Sequence, residues 1–189
     1  MKRWRHVWSW IALCLATTLF SGFLPGQIVR KRGVMGGTMG ALVALIIQIL
    51  FVFRSVTWPY PVAITVGTFL LGLVVIEPAE RLLFLTTGPR LRHTGSVVAA
   101  DFNETNIDEV HGQCLAGLPI WFMAGSVQAK LVALAVAFIT FRVFDSQKPW
   151  PIDAIERRFE GSSFGIMFDD TVAALPAFGA AAAAVFLLS

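Results

Sequence analysis

The sequence predicts an all-α fold: a single-domain, polytopic bundle of membrane helices with a re-entrant or interfacial N-terminal segment. Three observations carry the prediction. Of 189 residues, 56% are hydrophobic and only 14% charged, and the mean hydropathy is +0.71, whereas soluble domains carry about 25% charged residues. The apolar residues fall in runs at 7–25, 39–53, 58–76, 110–124, 128–144 and 171–188, close to the roughly 20 residues that a helix needs to cross a bilayer. The acidic residues are confined to two stretches, one from Glu77 to Glu109 and one from Asp145 to Asp170, with none before Glu77.

Each element follows from local signals. Lys2, Arg3 and Arg5 precede the run at 7–25, and Arg30-Lys31-Arg32 follows it. This start resembles a signal peptide, but the second basic cluster and the glycine-rich turn after it belong to the body of the protein, so the segment is expected to be retained. A full crossing would put the two basic clusters on opposite sides, against the positive-inside rule. Gly22, Pro25 and Gly26 offer a break that avoids this. Residues 1–32 therefore form the basic and apolar N-terminal segment, and 33–189 the core of the one domain. Runs 39–53 and 58–76 form a hairpin around Arg54–Thr57, with Arg54 snorkelling and Trp58 at the interface. Residues 77–109 return to the cytoplasmic side. Runs 110–124 and 128–144 form a second hairpin, joined near Ala124-Gly125-Ser126. The first of these is short, contains Pro119, and is expected to pack against protein. Ile152, Ile155 and Phe159 fall at helical spacing after Pro151, which predicts a short amphipathic helix between Pro151 and Gly161. The run at 171–188 crosses last, and its Ala180–Ala184 stretch suits close helix packing. This topology places both acidic stretches and the glycine-rich turn on the cytoplasmic face.

Composition also excludes classes. A net charge of +3, with its basic residues clustered near apolar runs, fits anionic headgroups rather than nucleic acid. Cys14 and Cys114 stand in apolar surroundings and make no metal or C-x5-R phosphatase motif. The histidines are too few and too scattered for a histidine-nucleophile phosphatase. His111 is expected to be a packed or hydrogen-bonded side chain.

Four segments remain as carriers of chemistry. Asp108-Glu109 opens an apolar run; the pair either binds cations or stabilises a helix N-terminus. Arg142, Asp145 and Lys148 follow one another at i,i+3 spacing and would project from one side of a continuing helix, as a phosphate-binding group or a helix-end salt bridge. Asp169-Asp170 opens the last run after the Gly161-Ser162-Ser163 turn, again as a ligand pair or a capping feature. Gly36-Gly37-Thr38-Met39-Gly40 precedes a helix and is either an anion cradle or a plain turn. Carboxylates this close to hydrocarbon need compensation. An oxygen-rich acidic site facing phosphate favours Mg2+.

Taken in order, Gly37-Thr38-Met39-Gly40, Asp108-Glu109-x-x-Gly112, Phe141-Arg142-x-x-Asp145-x-x-Lys148-Pro149-Trp150-Pro151-Ile152 and Gly165-Ile166-Met167-x-Asp169-Asp170 resemble the phosphatidylglycerophosphatase A family, from about residue 33 to the end. The departures, at Gly36, Cys114, Ser162-Ser163-Phe164 and Ala174, touch turns and packing rather than charged positions. The resemblance implies a multi-pass enzyme of the bacterial inner membrane that hydrolyses phosphatidylglycerophosphate to phosphatidylglycerol and phosphate with Mg2+, in phospholipid biosynthesis. Its partners are then the lipid substrate and membrane phospholipids, with no nucleic acid. In this reading Asp108, Glu109, Asp145, Asp169 and Asp170 hold one or two Mg2+ ions and form the catalytic set. Arg142 and Lys148 neutralise phosphate charge, and Thr38 with its flanking glycine amides holds a phosphate oxygen. Attack by water with Glu109 as base and an aspartyl-phosphate on Asp169 or Asp145 both remain open. The rival class is a cation-coupled transporter or channel component that uses the same carboxylates.

Overall fold

The computed structural model describes residues 2–29, 35–91, 97, 98, 102, 104–159 and 161–189. Arg30-Lys31-Arg32, Gly33, Asp101 and Glu160 lie outside the described residues, as do the side chains of Lys2, Arg3, Arg5 and Glu156. The described chain is helical: α1 (Lys2–Ala16), α2 (Leu24–Val29), α3 (Gly36–Phe53), α4 (Pro59–Thr87), α5 (Ile107–Ala116), α6 (Val127–Gln147), α7 (Ile152–Arg158) and α8 (Ser163–Leu188). Short 3-10 turns lie at Ser21–Phe23 and Leu118–Trp121. The one exception is a two-residue antiparallel ladder, β1 (Arg90–Leu91) with β2 (Val97–Val98). Four helices, α3, α4, α6 and α8, are long and apolar enough to cross a membrane, and a bent N-terminal pair is a possible fifth span by length and composition. The chain is a multi-pass membrane protein.

Helix α3 is an apolar stretch of 18 residues, about 27 Å at 1.5 Å per residue. Pro59 starts α4, where its missing N–H costs nothing. Sequence patterning ends this run at Ile76, yet α4 continues through Glu77, Pro78, Glu80 and Arg81 to Thr87. One face explains the extension. Val75, Ile76, Ala79, Leu82 and Leu83 are buried in one cluster with Ala12, Leu13 and Ala16 of α1, while Glu77 and Arg81 point outward. Packing on α1 outweighs the local polarity.

The N-terminal segment bends by 69° between His6–Ala16 and Ser21–Ile28. The break falls earlier than Gly22, Pro25 and Gly26 predict. Thr18, Leu19 and Phe20 carry it in left-handed backbone, and Thr17 Oγ1 stabilises it by donating to Leu13 O at 2.7 Å and accepting from Phe20 N at 3.1 Å. Gly22 serves a different purpose, since a Cβ there would collide with the Glu104 carbonyl.

The short run expected at 110–124 is the helix α5 followed by the 3-10 turn. It is too short to span as one helix, and Gly117 and Pro119 end it. It is nonetheless buried along most of its length, as a protein-packed segment should be. Gln48 Nε2 donates to the carbonyls of Gln113 and Cys114, both at 3.2 Å, and Gln113 Nε2 donates to Gln48 Oε1 at 3.0 Å. The carbonyls lie in the last turn of α5, where a helix end leaves acceptors over; Gln113 O accepts from Gly117 N as well, at 3.1 Å. Beyond the turn, Phe122 reaches Trp58 (ring centroids 5.9 Å), and Ala124 O accepts from Ser189 Oγ at 2.9 Å. Residues 107–126 thus pass from one end of the bundle to the other as a broken crossing.

Ser126 caps α6 by accepting from Ala129 N at 3.1 Å, and Ser162 caps α8 by accepting from Gly165 N at 3.0 Å. Small residues let these helices approach: Ala137, Ala173, Ala174, Ala177 and Ala181 are buried together around Phe141. The alternating directions bring the starts of α3, α5 and α8 and the ends of α4 and α6 to one end of the bundle.

Candidate active site

Asp108 and Glu109 occupy the first turn of α5, where helix partial charge favours carboxylates. Asp169 and Asp170 lie in the second turn of α8. The bundle brings these two turns together. One carboxylate oxygen each from Asp108, Glu109 and Asp170 lies within 4.8 Å of the others. Asp108 and Asp170 are buried, at 9% and 3% exposure. Glu109 Oε2 and Asp170 Oδ2 are buried with no hydrogen-bond partner.

Glycine permits this closeness. A Cβ on Gly37 would overlap the Glu109 carboxylate, and one on Gly40 would overlap the Asn106 carbonyl. The two glycines let the start of α5 lie directly on α3. Thr38, between them, accepts from Arg142 Nη2 at 3.3 Å.

The remaining carboxylates carry cations. Arg142 Nη1 meets Asp145 Oδ2 at 2.5 Å, so one guanidinium joins Asp145 to Thr38. Lys148 differs from the sequence expectation. Helix α6 stops at Gln147, and Lys148 takes left-handed backbone at φ 41°. Its Nζ crosses to Asp169 Oδ2 at 2.5 Å on α8. The three side chains at i,i+3 spacing therefore do not project from one continuing helix. Arg142 and Asp145 pair along α6, while Lys148 joins α6 to α8. Asp169 Oδ1 also accepts from Asp170 N at 3.1 Å. All eight candidate residues lie at the same end of the bundle: a cluster of three carboxylates, two carboxylate–cation pairs beside it, and Thr38, bonded to Arg142.

His111 is the packed, hydrogen-bonded histidine expected. Its Nδ1 donates to Thr65 O at 3.0 Å, its Nε2 meets Thr171 Oγ1 at 3.1 Å, and Phe69 stacks obliquely at 5.1 Å. Two supporting residues escaped the sequence reading. Glu80, buried on α4, accepts from Phe102 N at 2.8 Å and Thr105 Oγ1 at 3.0 Å. Asn106, fully buried ahead of α5, donates to Ser21 Oγ at 3.0 Å. Neither belongs to a motif; in the sequence Glu80 stands beyond the apolar run at 58–76, among the residues of the first acidic stretch.

The cluster suits a hard divalent cation. Its donors are all carboxylate oxygens, and two of them are buried with nothing to bond. Such a set matches Mg2+ or Mn2+ rather than a soft metal.

The family model for phosphatidylglycerophosphatase A matches residues 14–185. The match begins before residue 33 and so takes in part of the N-terminal segment. No curated protein and no solved structure matches the chain.

Proposed function

The chain belongs to the phosphatidylglycerophosphatase A family and is a phosphoric monoester hydrolase acting on phosphatidylglycerophosphate in phosphatidylglycerol biosynthesis; we propose that it works with Mg2+ held by Asp108, Glu109 and Asp170, at the cytoplasmic face of a bacterial inner membrane. The observation that carries this reading is the buried three-carboxylate cluster with its two unbonded oxygens. Uncompensated, such a cluster is costly. A cation there supplies positive charge against the phosphoryl oxygens and lowers the pKa of water.

The chain's own groups do the rest. Arg142 and Lys148, beside the cluster, offer N–H donors and positive charge to the phosphate oxygens. Thr38 fixes the Arg142 fork. Pairing with Arg142 and Lys148 weakens Asp145 and Asp169 as nucleophiles, which favours water as the attacking group over an aspartyl-phosphate. Glu109, in the same cluster, is placed to take the proton from that water. The new phosphorus–oxygen bond forms as the bond to the glycerol oxygen breaks; that oxygen takes a proton from solvent water, and Glu109 returns its own to solvent.

Orientation follows the positive-inside rule. Arg81, Lys148, Arg157 and Arg158 lie at the site-bearing end of the helices, and Arg54 and Lys130 at the other. The test is phosphate release from phosphatidylglycerophosphate micelles by the detergent-purified protein, with Mg2+ and with chelator. Release that needs Mg2+ is expected; equal release in chelator would remove the metal from the mechanism.

A further inference from the structure

The acidic turn of α5 is held from three directions at one residue. Asn106 is fully buried. Its backbone N donates to Ala16 O at the end of α1 at 2.9 Å. Its Nδ2 donates to Ser21 Oγ at 3.0 Å and to Gly36 O, at the start of α3, at 3.4 Å. Its own carbonyl accepts from Val110 N at 3.1 Å, inside α5. One side chain thus joins the N-terminal segment, α3 and α5, two residues before Asp108. The contacts around it are close: Gly22 abuts the Glu104 carbonyl and Gly40 abuts Asn106 itself, each with no room for a Cβ. On the other side Glu80 holds Phe102 N and Thr105 Oγ1. The polar loop leading into the site is therefore clamped between α4 and the N-terminal segment.

We propose that Asn106 is a positioning residue, through which the N-terminal segment sets the placement of Asp108 and Glu109 relative to Asp170. It touches no substrate and does no chemistry. The proposal rests on the reading of the carboxylate cluster as a cation site. It also gives the N-terminal segment a catalytic purpose distinct from membrane attachment. The first two turns of the chain after α1 are then part of the site's framework.

The test compares wild type, Asn106→Ala, Ser21→Ala and Gly22→Ala, with Gly67→Ala as a control whose added Cβ meets nothing within 4 Å. Each full-length protein is measured for Mn2+ binding by electron paramagnetic resonance, for kcat and KM with phosphatidylglycerophosphate, and for thermal unfolding. Ser21→Ala removes the Oγ that accepts from Asn106 and donates to Thr17 O at 3.2 Å; it is the mildest change, so it reports even where Asn106→Ala fails to fold. The expected result is Mn2+ binding weakened about fivefold in Ser21→Ala, the effect of one net hydrogen bond, and more in the other two variants. Their kcat falls while KM stays within about twofold of wild type, the split that positioning rather than substrate contact produces. Folded Ser21→Ala and Asn106→Ala proteins with wild-type Mn2+ binding and kcat would overturn the proposal. A wild type that binds no Mn2+ would instead overturn the cation reading, and the kcat and KM split would then decide Asn106 by itself.

Discussion

Gly37→Ala tests whether the contact between α3 and α5 builds the site. In a helix, alanine normally gains about 0.5–1 kcal/mol over glycine. At position 37 the sign should reverse. The new Cβ would lie 2.7 Å from Glu109 Cδ and 3.3 Å from Cγ, and closer still to Oε1. Glu109 is held among Asp108, Asp170 and the α3 backbone, so the carboxylate must leave the cluster or the helices must part. Overpacking of this kind costs about 1–3 kcal/mol, which outweighs the helical gain. If the displacement falls on Glu109 alone, the same energy appears as a loss of about 5- to 150-fold in turnover. The assay is phosphate release at saturating lipid across a Mg2+ titration, beside thermal unfolding. The account predicts a fall in kcat and a higher Mg2+ requirement, while Gly67→Ala keeps wild-type activity. Wild-type turnover and Mg2+ response in Gly37→Ala would refute the claim that Glu109 must sit against α3.

Two further outcomes follow from the same geometry. Arg142→Lys keeps the charge but cannot bridge Asp145 and Thr38 with one planar fork, so kcat should fall about tenfold with little change in thermal unfolding; unchanged kcat would make the fork incidental. Lys148→Met leaves the Asp169 carboxylate, 8% exposed, without its 2.5 Å partner, so the unfolding temperature should drop; adding Asp169→Asn should recover it without recovering turnover, and a double variant no more stable than the single would contradict the pairing.

Much of this arrangement was legible in the residues. Four long apolar helices and the acidic pairs Asp108-Glu109 and Asp169-Asp170, near the starts of α5 and α8, are local signals, set by runs and spacings. What escaped is tertiary. Helix α4 runs past Glu77 because its Ile76–Leu83 face meets α1, which no local window reports. Gly37 and Gly40 read in the sequence as part of an anion cradle or a plain turn; the fold adds that they admit Glu109 and Asn106. Lys148 was one of three charges on a ridge until the helix ended beneath it. Asn106 and Glu80 stand in ordinary polar company, and their importance comes from residues 70 to 85 positions away for Asn106 and 22 to 25 away for Glu80.

The central claim is that Asp108, Glu109 and Asp170 act as one cation site for phosphate release. Asp170→Asn replaces one oxygen of that cluster and leaves the Arg142–Asp145 and Lys148–Asp169 pairs in place. Turnover of phosphatidylglycerophosphate by the purified, folded variant, measured across a Mg2+ titration, tests the claim most directly. The account predicts a loss of about a hundredfold or more with no activation by Mg2+. Near-normal turnover with the wild-type Mg2+ response would contradict it.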